Sequence, residues 1–323
     1  MRRGLRPGAA AVAALAMAGA TMAQWAPSRP IRLVVPYATG GAADITARLI
    51  SDKLGAALGQ PVVVDNRGGA GGVIGTEIGA KAPPDGHTLV FGSDPPYTIN
   101  PHLQKVPYDP LKDFEHVSLI ANVPLLLMVN PARVPSGNLR ELIALAKASP
   151  GRFTIASSGN GSSGHLAAEL FKYMAAIHLV HVPYKGQAQA VTDVLGGQVD
   201  MTFSSIGPTI QHLKSGRIKA LAISVPKRFA GLPDVPALAE AGVPGYDLAV
   251  WLGVSYPAGT AKAAVERVNT EIGRILEASD VRARLDVLGY VPVGGKPENL
   301  SRRIEADHAL FGKLIRDASI KGE

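Results

Sequence analysis

The chain of 323 residues contains no cysteine. Disulfides, thiolate nucleophiles and cysteine-ligated zinc are therefore excluded. Aromatic residues make up only 5% and charged residues only 18%, and the Lys and Arg residues are scattered rather than run together. With no basic block and few rings for base stacking, no nucleic-acid partner is expected. Long apolar runs are also missing: Val117 to Val129 is broken by Asn122 and Pro124, whereas a membrane-spanning helix needs roughly 20 apolar residues. What is present is apolar content of 46% and 36 glycines. That much apolar content predicts a folded protein, and this length favours two domains over one core.

The formal charge of +7 raises the question of a polyanionic partner, but its distribution answers it. Residues 1–23 carry Arg2, Arg3 and Arg6, then an apolar run from Ala9 to Ala18, then small residues up to Ala23. This layout is that of a cleaved export signal, since the apolar run is about half the roughly 20 residues of a transmembrane anchor. Removal of residues 1–23 leaves 30 basic and 26 acidic side chains, a charge of +4. The mature protein is then expected to be soluble, exported and monomeric.

Along the chain, short β-rich runs alternate with helical patterns. Ile31 to Val35, Val62 to Val64 and Thr88 to Phe91 read as strands, separated by helices over Ala43 to Leu58 and near Val73 to Lys81. After an irregular, proline-rich stretch from Pro95 to Pro110, Val117 to Asn130 reads as one or two strands. The rhythm resumes with a helix from Leu139 to Ala148 started by Ser136 or Asn138, and a strand over Phe153 to Ala156. It continues through helices at His165 to Ala176 and Ala188 to Leu195 and strands ending near Val182, Phe203 and Val225, with a short helix at Pro208 to Ser215. The last segment holds one long strand, Leu248 to Tyr256, then helices started by Thr260, Val281 and Pro297. So few strands cannot make a sheet, so this segment is expected to return to the first domain. The reading is an α/β fold of two lobes joined by two crossovers, lobe 1 being 24–124 plus 248–323 and lobe 2 being 125–247.

Three loops share one layout, a strand, then glycines with small polar residues, then a helix. They are Pro36 to Gly41, Asn66 to Gly72, and Ser157 to Gly164. A helix N-terminus offers unpaired N–H groups and partial positive charge, and glycine lets an oxyanion approach the backbone. Glycines also serve tight turns, which explains any one loop alone. Two loops in the first lobe and one in the second, however, is the distribution a shared anion cleft requires.

Other chemistries are weighed against this. Gly159, Gly161 and Gly164 match a dinucleotide fingerprint, but the next strand, Leu179 to Tyr184, lacks the acidic residue that would hold the ribose. Ser157, Ser158, Ser162 and Ser163 beside His165 raise an exported serine hydrolase, yet no G-x-S-x-G elbow is present. Ser162 and its neighbours are explained more simply by helix capping. His178 and His181 sit at an odd spacing on a strand and face opposite ways, so no metal site is expected, and no cofactor. Asp44 reads as a capping residue, Asp200 as a strand-end turn residue, and Trp251 as core.

Taken in order, these segments resemble the Bug, or tripartite tricarboxylate transporter receptor, family of periplasmic solute-binding proteins. The resemblance rests on Pro36-Tyr37-Ala38-Thr39-Gly40-Gly41-Ala42-Ala43-Asp44, Asn66-Arg67-Gly68-Gly69-Ala70-Gly71-Gly72 and Pro84-Asp85-Gly86-His87-Thr88-Leu89. It continues with Ser158-Gly159-Asn160-Gly161-Ser162-Ser163-Gly164-His165, Val182-Pro183-Tyr184-Lys185-Gly186, Gly196-Gly197-Gln198-Val199-Asp200 and Pro257-Ala258-Gly259-Thr260. It implies a two-lobed periplasmic-binding-protein fold of the Venus-flytrap, type II-like kind, in a receptor without enzymatic activity that closes on a small carboxylate, or its amide, and delivers it to membrane transporter subunits; a ligand sensor docking on a membrane signalling protein is the alternative. By position it implies Tyr37, Thr39, Gly40, Gly41, Asp44 and Ser93 on the first-lobe side of the cleft. The second-lobe side would hold Ser158, Gly159, Gly161, Ser162, Ser163 and His165, with Tyr184, Asp200 and Ser204 nearby. Thr39 departs from the family, standing where proline is common, and puts a hydroxyl beside the site.

Overall fold

The computed structural model describes residues 25–321, so the expected export signal at 1–23 lies outside the described residues. The chain begins β1 (Ile31–Val35), α1 (Ala42–Leu58), β2 (Val62–Asn66), α2 (Val73–Ala80), β3 (Thr88–Ser93), α3 (Asn100–Leu103) and β4 (Phe114–Val129). It continues α4 (Leu139–Ala148), β5 (Thr154–Ser157), α5 (Ser163–Ala175), β6 (Val180–Pro183), α6 (Gln187–Leu195), β7 (Met201–Ser205), α7 (Ile210–Lys214) and β8 (Lys219–Ile223). It ends α8 (Leu238–Ala241), β9 (Ala249–Pro257), α9 (Lys262–Glu277), α10 (Ser279–Leu288), β10 (Val291–Pro292) and α11 (Pro297–Asp317).

Local chemistry explains several boundaries. Asn138 caps α4: its Oδ1 accepts from the Glu141 N–H, while Glu141 reaches back to the N–H of Gly137, a reciprocal arrangement that satisfies donors at the helix start. Thr260, expected to cap the next long helix, does not: its hydroxyl donates to Pro257 O and Ala261 takes the cap position. The proline-rich stretch expected to be irregular instead winds through a wide helical turn at Pro95–Ile99 into α3, because proline at the first helical positions removes only donors that lack partners anyway.

The ten strands of the described residues form one sheet, eight of them on the path β2-β1-β3-β9-β4-β7-β5-β6, with β8 and β10 off that path and pairing β4. Strands β1, β2 and β3 are mutually parallel, β9 runs against β3, and β4 runs against β9. Hence β4 runs with β1–β3, away from their half of the sheet. Strand β7 is antiparallel to β4, and β5 and β6 follow β7, so they run the other way. The carboxyl ends of both parallel groups therefore point at the crossover, the place where open α/β sheets hold ligands.

Strand β4 pairs β9 from Phe114 to Pro124 and β7 from Leu125 to Val129. Pro124 lacks an N–H, so the missing donor falls where the partner changes. Ser224 supports the change: its Oγ accepts from Leu125 N–H and donates to Leu248 O, joining both crossover segments.

Each half has its own apolar core. One gathers Ile31, Leu33, Leu54, Leu89, Ile120, Leu252, Val268 and Leu285; the other gathers Leu127, Ile155, Leu166, Phe171, Phe203 and Tyr246. Helix α11 departs from its expected place wholly in lobe 1. Leu300 and Ile304 join a cluster with Trp251, Tyr97 and Val90, whereas Phe311, Leu314 and Ile315 belong to the second core. Its 21 residues, about 1.5 Å per residue, make it long enough to lie across both halves. Trp251 is 1% exposed and donates to Asp307 of α11, a core role as expected.

Candidate functional site

The loop after β1 is assembled from side chains of its own half. Asp44, two residues into α1 and buried, accepts from Gly40 N–H, Arg48 Nε and Asn66 Nδ2. Asn66, ending β2, also donates to Tyr37 O at 3.1 Å. Burial acts to raise the Asp44 pKa, but the hydrogen bonds from Gly40, Arg48 and Asn66 outweigh it and hold the carboxyl below its ordinary range. Asp44 thus positions the loop as a carboxylate. Thr39, Gly40 and Gly41 remain exposed at the tip, and no side chain caps α1, whose N-cap is Gly41.

Tyr37 turns inward, its hydroxyl 2.6 Å from Ser93 Oγ at the end of β3. Gly72, which starts α2 at φ 95°, passes so close that a Cβ would lie 3.0 Å from the Tyr37 hydroxyl. The first two glycine loops and the end of β3 therefore form one continuous wall. Expected first-half residues Tyr37, Thr39, Gly40, Gly41, Asp44 and Ser93 are brought together.

The loop after β5 is held differently. Ser162 caps α5, its Oγ accepting from His165 N–H. The Gly161 N–H donates to His165 Nδ1, which places the neutral ring's proton on Nε2, 3.7 Å from Glu169. His165 stacks on His181, with ring centroids 4.1 Å apart and planes within 12°, and His181 Nε2 lies 2.7 Å from Ser157 Oγ. Burial is the main cause moving both imidazoles down to about 4, with Lys172 and, for His181, the His165 ring adding to it. The pair is neutral at neutral pH. It supports the loop from beneath rather than presenting a charge to a ligand.

This arrangement also bears on the serine-hydrolase alternative. Ser157 does meet an imidazole, but it is fully buried and its Oγ exchanges contacts with the Gly159 backbone. The Ser162 hydroxyl caps a helix, and the Ser163 hydroxyl donates to Asp94. None of the three is placed as an accessible nucleophile beside a base.

The halves meet through two side chains that the sequence reading passed over. Asn100 donates to Gly71 O and its Oδ1 lies against Gly161, where φ is 70° and an added Cβ would run into that oxygen. Asp94 accepts from Ser163 Oγ at 3.1 Å. A sequence signal existed: Asp94 and Asn100 are polar residues in a stretch from Leu89 to Asn100 that is buried throughout. Its cross-lobe partners were not legible, being 69 residues away for Asp94.

Not every expected site residue joins the cluster. Asp200 is corrected: it accepts from Thr154 N–H, Thr154 Oγ1 and Arg133 Nε. Thr154 begins β5, so Asp200 lies at the end of the sheet opposite the glycine loop. Ser204 is 1% exposed within β7. Tyr184 borders the loop through its backbone, but its hydroxyl donates to Asp193 of α6. Ser158, Gly159, Gly161, Ser162 and Ser163 form the second wall, with His165 behind it. Two open grooves, one beside Ser51 and Pro61 and one beside Arg32 and Val63, lie away from these loops.

Facing walls rich in backbone N–H groups, with glycine at the points of closest approach and no arginine bonded into either loop tip, suit a small anion bound chiefly through the main chain. Comparison with known proteins agrees with this geometry. The family described as "Tripartite tricarboxylate transporter family receptor" matches residues 46–320. Protein BugT of Bordetella pertussis is 36% identical over 312 residues, covering 96% of this chain and 95% of that protein. The structure "R. palustris Rpa4515 with adipate" is similar at a TM-score of 0.84 and 37% identity, covering 91% of this chain and 99% of the other. A second, "MatC (Rpa3494) from Rhodopseudomonas palustris with bound malate", gives a TM-score of 0.81 at 32% identity over 90% and 99% of the two chains. With a family match over most of its length and a relative of this identity across nearly all of it, the chain belongs to the Bug, or tripartite tricarboxylate transporter receptor, family of two-lobed solute-binding proteins.

Proposed function

We propose that this protein is a periplasmic receptor that captures a small carboxylate between its two halves and delivers it, chemically unchanged, to a membrane transporter of the tripartite tricarboxylate type. The observation that carries the reading is the convergence of the Tyr37 to Gly41, Asn66 to Gly72 and Ser158 to Ser163 loops on one crossover, joined by Asn100 and Asp94. Adipate and malate, named with two structural relatives, support the ligand class, and the signal-like residues 1–23 support export. The ligand's carboxylate is assigned to the N-terminal turns of α1 and α5, where unpaired N–H groups and the helix dipoles favour negative charge.

Thermal melting with a panel of mono-, di- and tricarboxylates and their amides tests this. A ligand present at about 100 times its dissociation constant adds roughly 2.7 kcal/mol of stability, so at least one acid is expected to raise the melting temperature by several degrees. No shift across the panel would remove the carboxylate reading. Recovery of the bound acid unaltered after prolonged incubation is expected; turnover would favour the hydrolase alternative.

A further inference from the structure

Asp94 is the one carboxyl that bridges the two halves of the described structure at the cleft. It follows β3, is 1% exposed, and its Oδ1 accepts from the hydroxyl of Ser163, the first residue of α5. That hydroxyl belongs to the turn to which the proposed function assigns the ligand's carboxylate. The groups facing Asp94 are Ser163 from α5, Tyr37 from the loop after β1, and Arg303 and Asp307 from α11. Arg303 is the cation among them, and it is tied elsewhere: its Nε lies 2.6 Å from Asp307 and its Nη2 donates to Ala249 O. Asp94 therefore sits buried beside a second carboxyl without an ion pair of its own among the described residues. Burial, with Asp307 adding to it against the Ser163 hydrogen bond, pushes the Asp94 carboxyl up to about 7.

From this placement we infer that Asp94 is a binding-site residue that takes up one proton when the cleft loads an anionic ligand. The inference rests on the carboxylate reading above. Two carboxylates sharing one hydroxyl donor and one helix terminus, away from water, do not both stay ionised. The solvent proton goes to Asp94, which then turns from an acceptor facing the ligand into a donor toward it. Below about pH 7 the residue already holds its proton and loading leaves the proton count unchanged. Above that pH the proton must be taken up with the ligand, so affinity falls by up to about tenfold per pH unit. The site would then load anion plus proton above about pH 7, and its affinity would rise as the pH falls toward that value.

Calorimetric titration of the mature chain with adipate and with malate, near pH 6 and near pH 8.5 in buffers of different ionisation enthalpy, counts the protons directly. The expected result is uptake near zero at the lower pH and approaching one at the higher, with an Asp94→Asn variant binding with a flat pH profile. Binding without uptake at the higher pH overturns the inference and leaves the carboxylate reading intact; failure of both acids to bind overturns the two together. A ligand-free measurement stands beside this. Because the folded-state pKa is raised above its ordinary value of 3.8, the wild type is expected to lose stability relative to Asp94→Asn as pH rises from about 4 to about 7. A constant difference across that window would sink the inference whatever the titrations gave.

Discussion

The two walls of the cleft do the same work, one with a charged group and the other with neutral ones. The first-half loop is held by an ionised carboxylate, Asp44, whose hydrogen bonds from Gly40, Arg48 and Asn66 keep it charged. The second-half loop is held by two stacked imidazoles that must stay neutral, His165 and His181. One wall leaves its glycines exposed at the tip; the other buries Gly161 against Asn100 of the opposite half. The difference teaches that the second wall reaches across the crossover through Gly161 and Ser163, which meet Asn100 and Asp94, and that acid should loosen it first.

The comparison is broken most severely by adding a methyl group to each wall. Gly161→Ala places a Cβ against Asn100 Oδ1 and requires a left-handed backbone that alanine resists. Gly40→Ala meets the same backbone cost at φ 85° but has open space around it. The backbone term alone is about 1 kcal/mol. Gly161→Ala is therefore expected to lose most ligand-induced thermal stabilisation along with its fold stability, and Gly40→Ala to keep most of it. Equal loss in both variants would mean that the Asn100 contact does not set the two walls apart.

A smaller effect separates the walls by pH. Both imidazoles are depressed from their ordinary value of 6.5 to about 4. The folded state then binds fewer protons than the unfolded chain between those values, so stability is complete above pH 6.5 and declines as pH falls to about 4. The upper bound is on the order of 3 kcal/mol per ring at 1.36 kcal/mol per pH unit, less for a coupled pair. Asp44, depressed below 3.8, loses its contribution only under more acid conditions. Hydrogen exchange near pH 5 is expected to accelerate at Gly159 to His165 while Ala38 to Asp44 stays protected relative to pH 7. Simultaneous loosening of both would contradict the assignment of neutral histidines to one wall.

The parts legible in the sequence were those with local causes. The β1 to β3 segment announces itself because Ile, Leu and Val runs alternate with helical periodicity, and the glycine loops because a strand-glycine-helix order has few physical uses. Asn66 lay inside a motif already singled out, although its donation to Asp44 was not foreseen. What escaped depends on distance along the chain. The apolar stripe of α11 is plain, but nothing in its periodicity says that Leu300 and Phe311 enter different cores. Asp94 and Asn100 find their cross-lobe neighbours in α5 and its loop only after two crossovers have formed. Asp200 was misplaced because a carboxylate after a glycine turn looks the same at either end of a strand.

Asp200 supplies the smallest expected effect on binding and therefore the control. Its carboxylate is 4% exposed and satisfies three donors at the end of β5 opposite Ser157. Removing it in Asp200→Ala leaves the Thr154 N–H and hydroxyl without their acceptor, which costs about 1–3 kcal/mol for a buried polar group left unpaired. The fold should weaken accordingly, measured by denaturant unfolding. Ligand affinity, measured by calorimetry on the folded fraction, should stay within about twofold, since the change lies a full strand away from the glycine loop. A large loss of affinity with stability preserved would place Asp200 back among the ligand contacts, and would require the two ends of the sheet to communicate through β5, the strand that carries Ser157 at one end and Thr154 at the other.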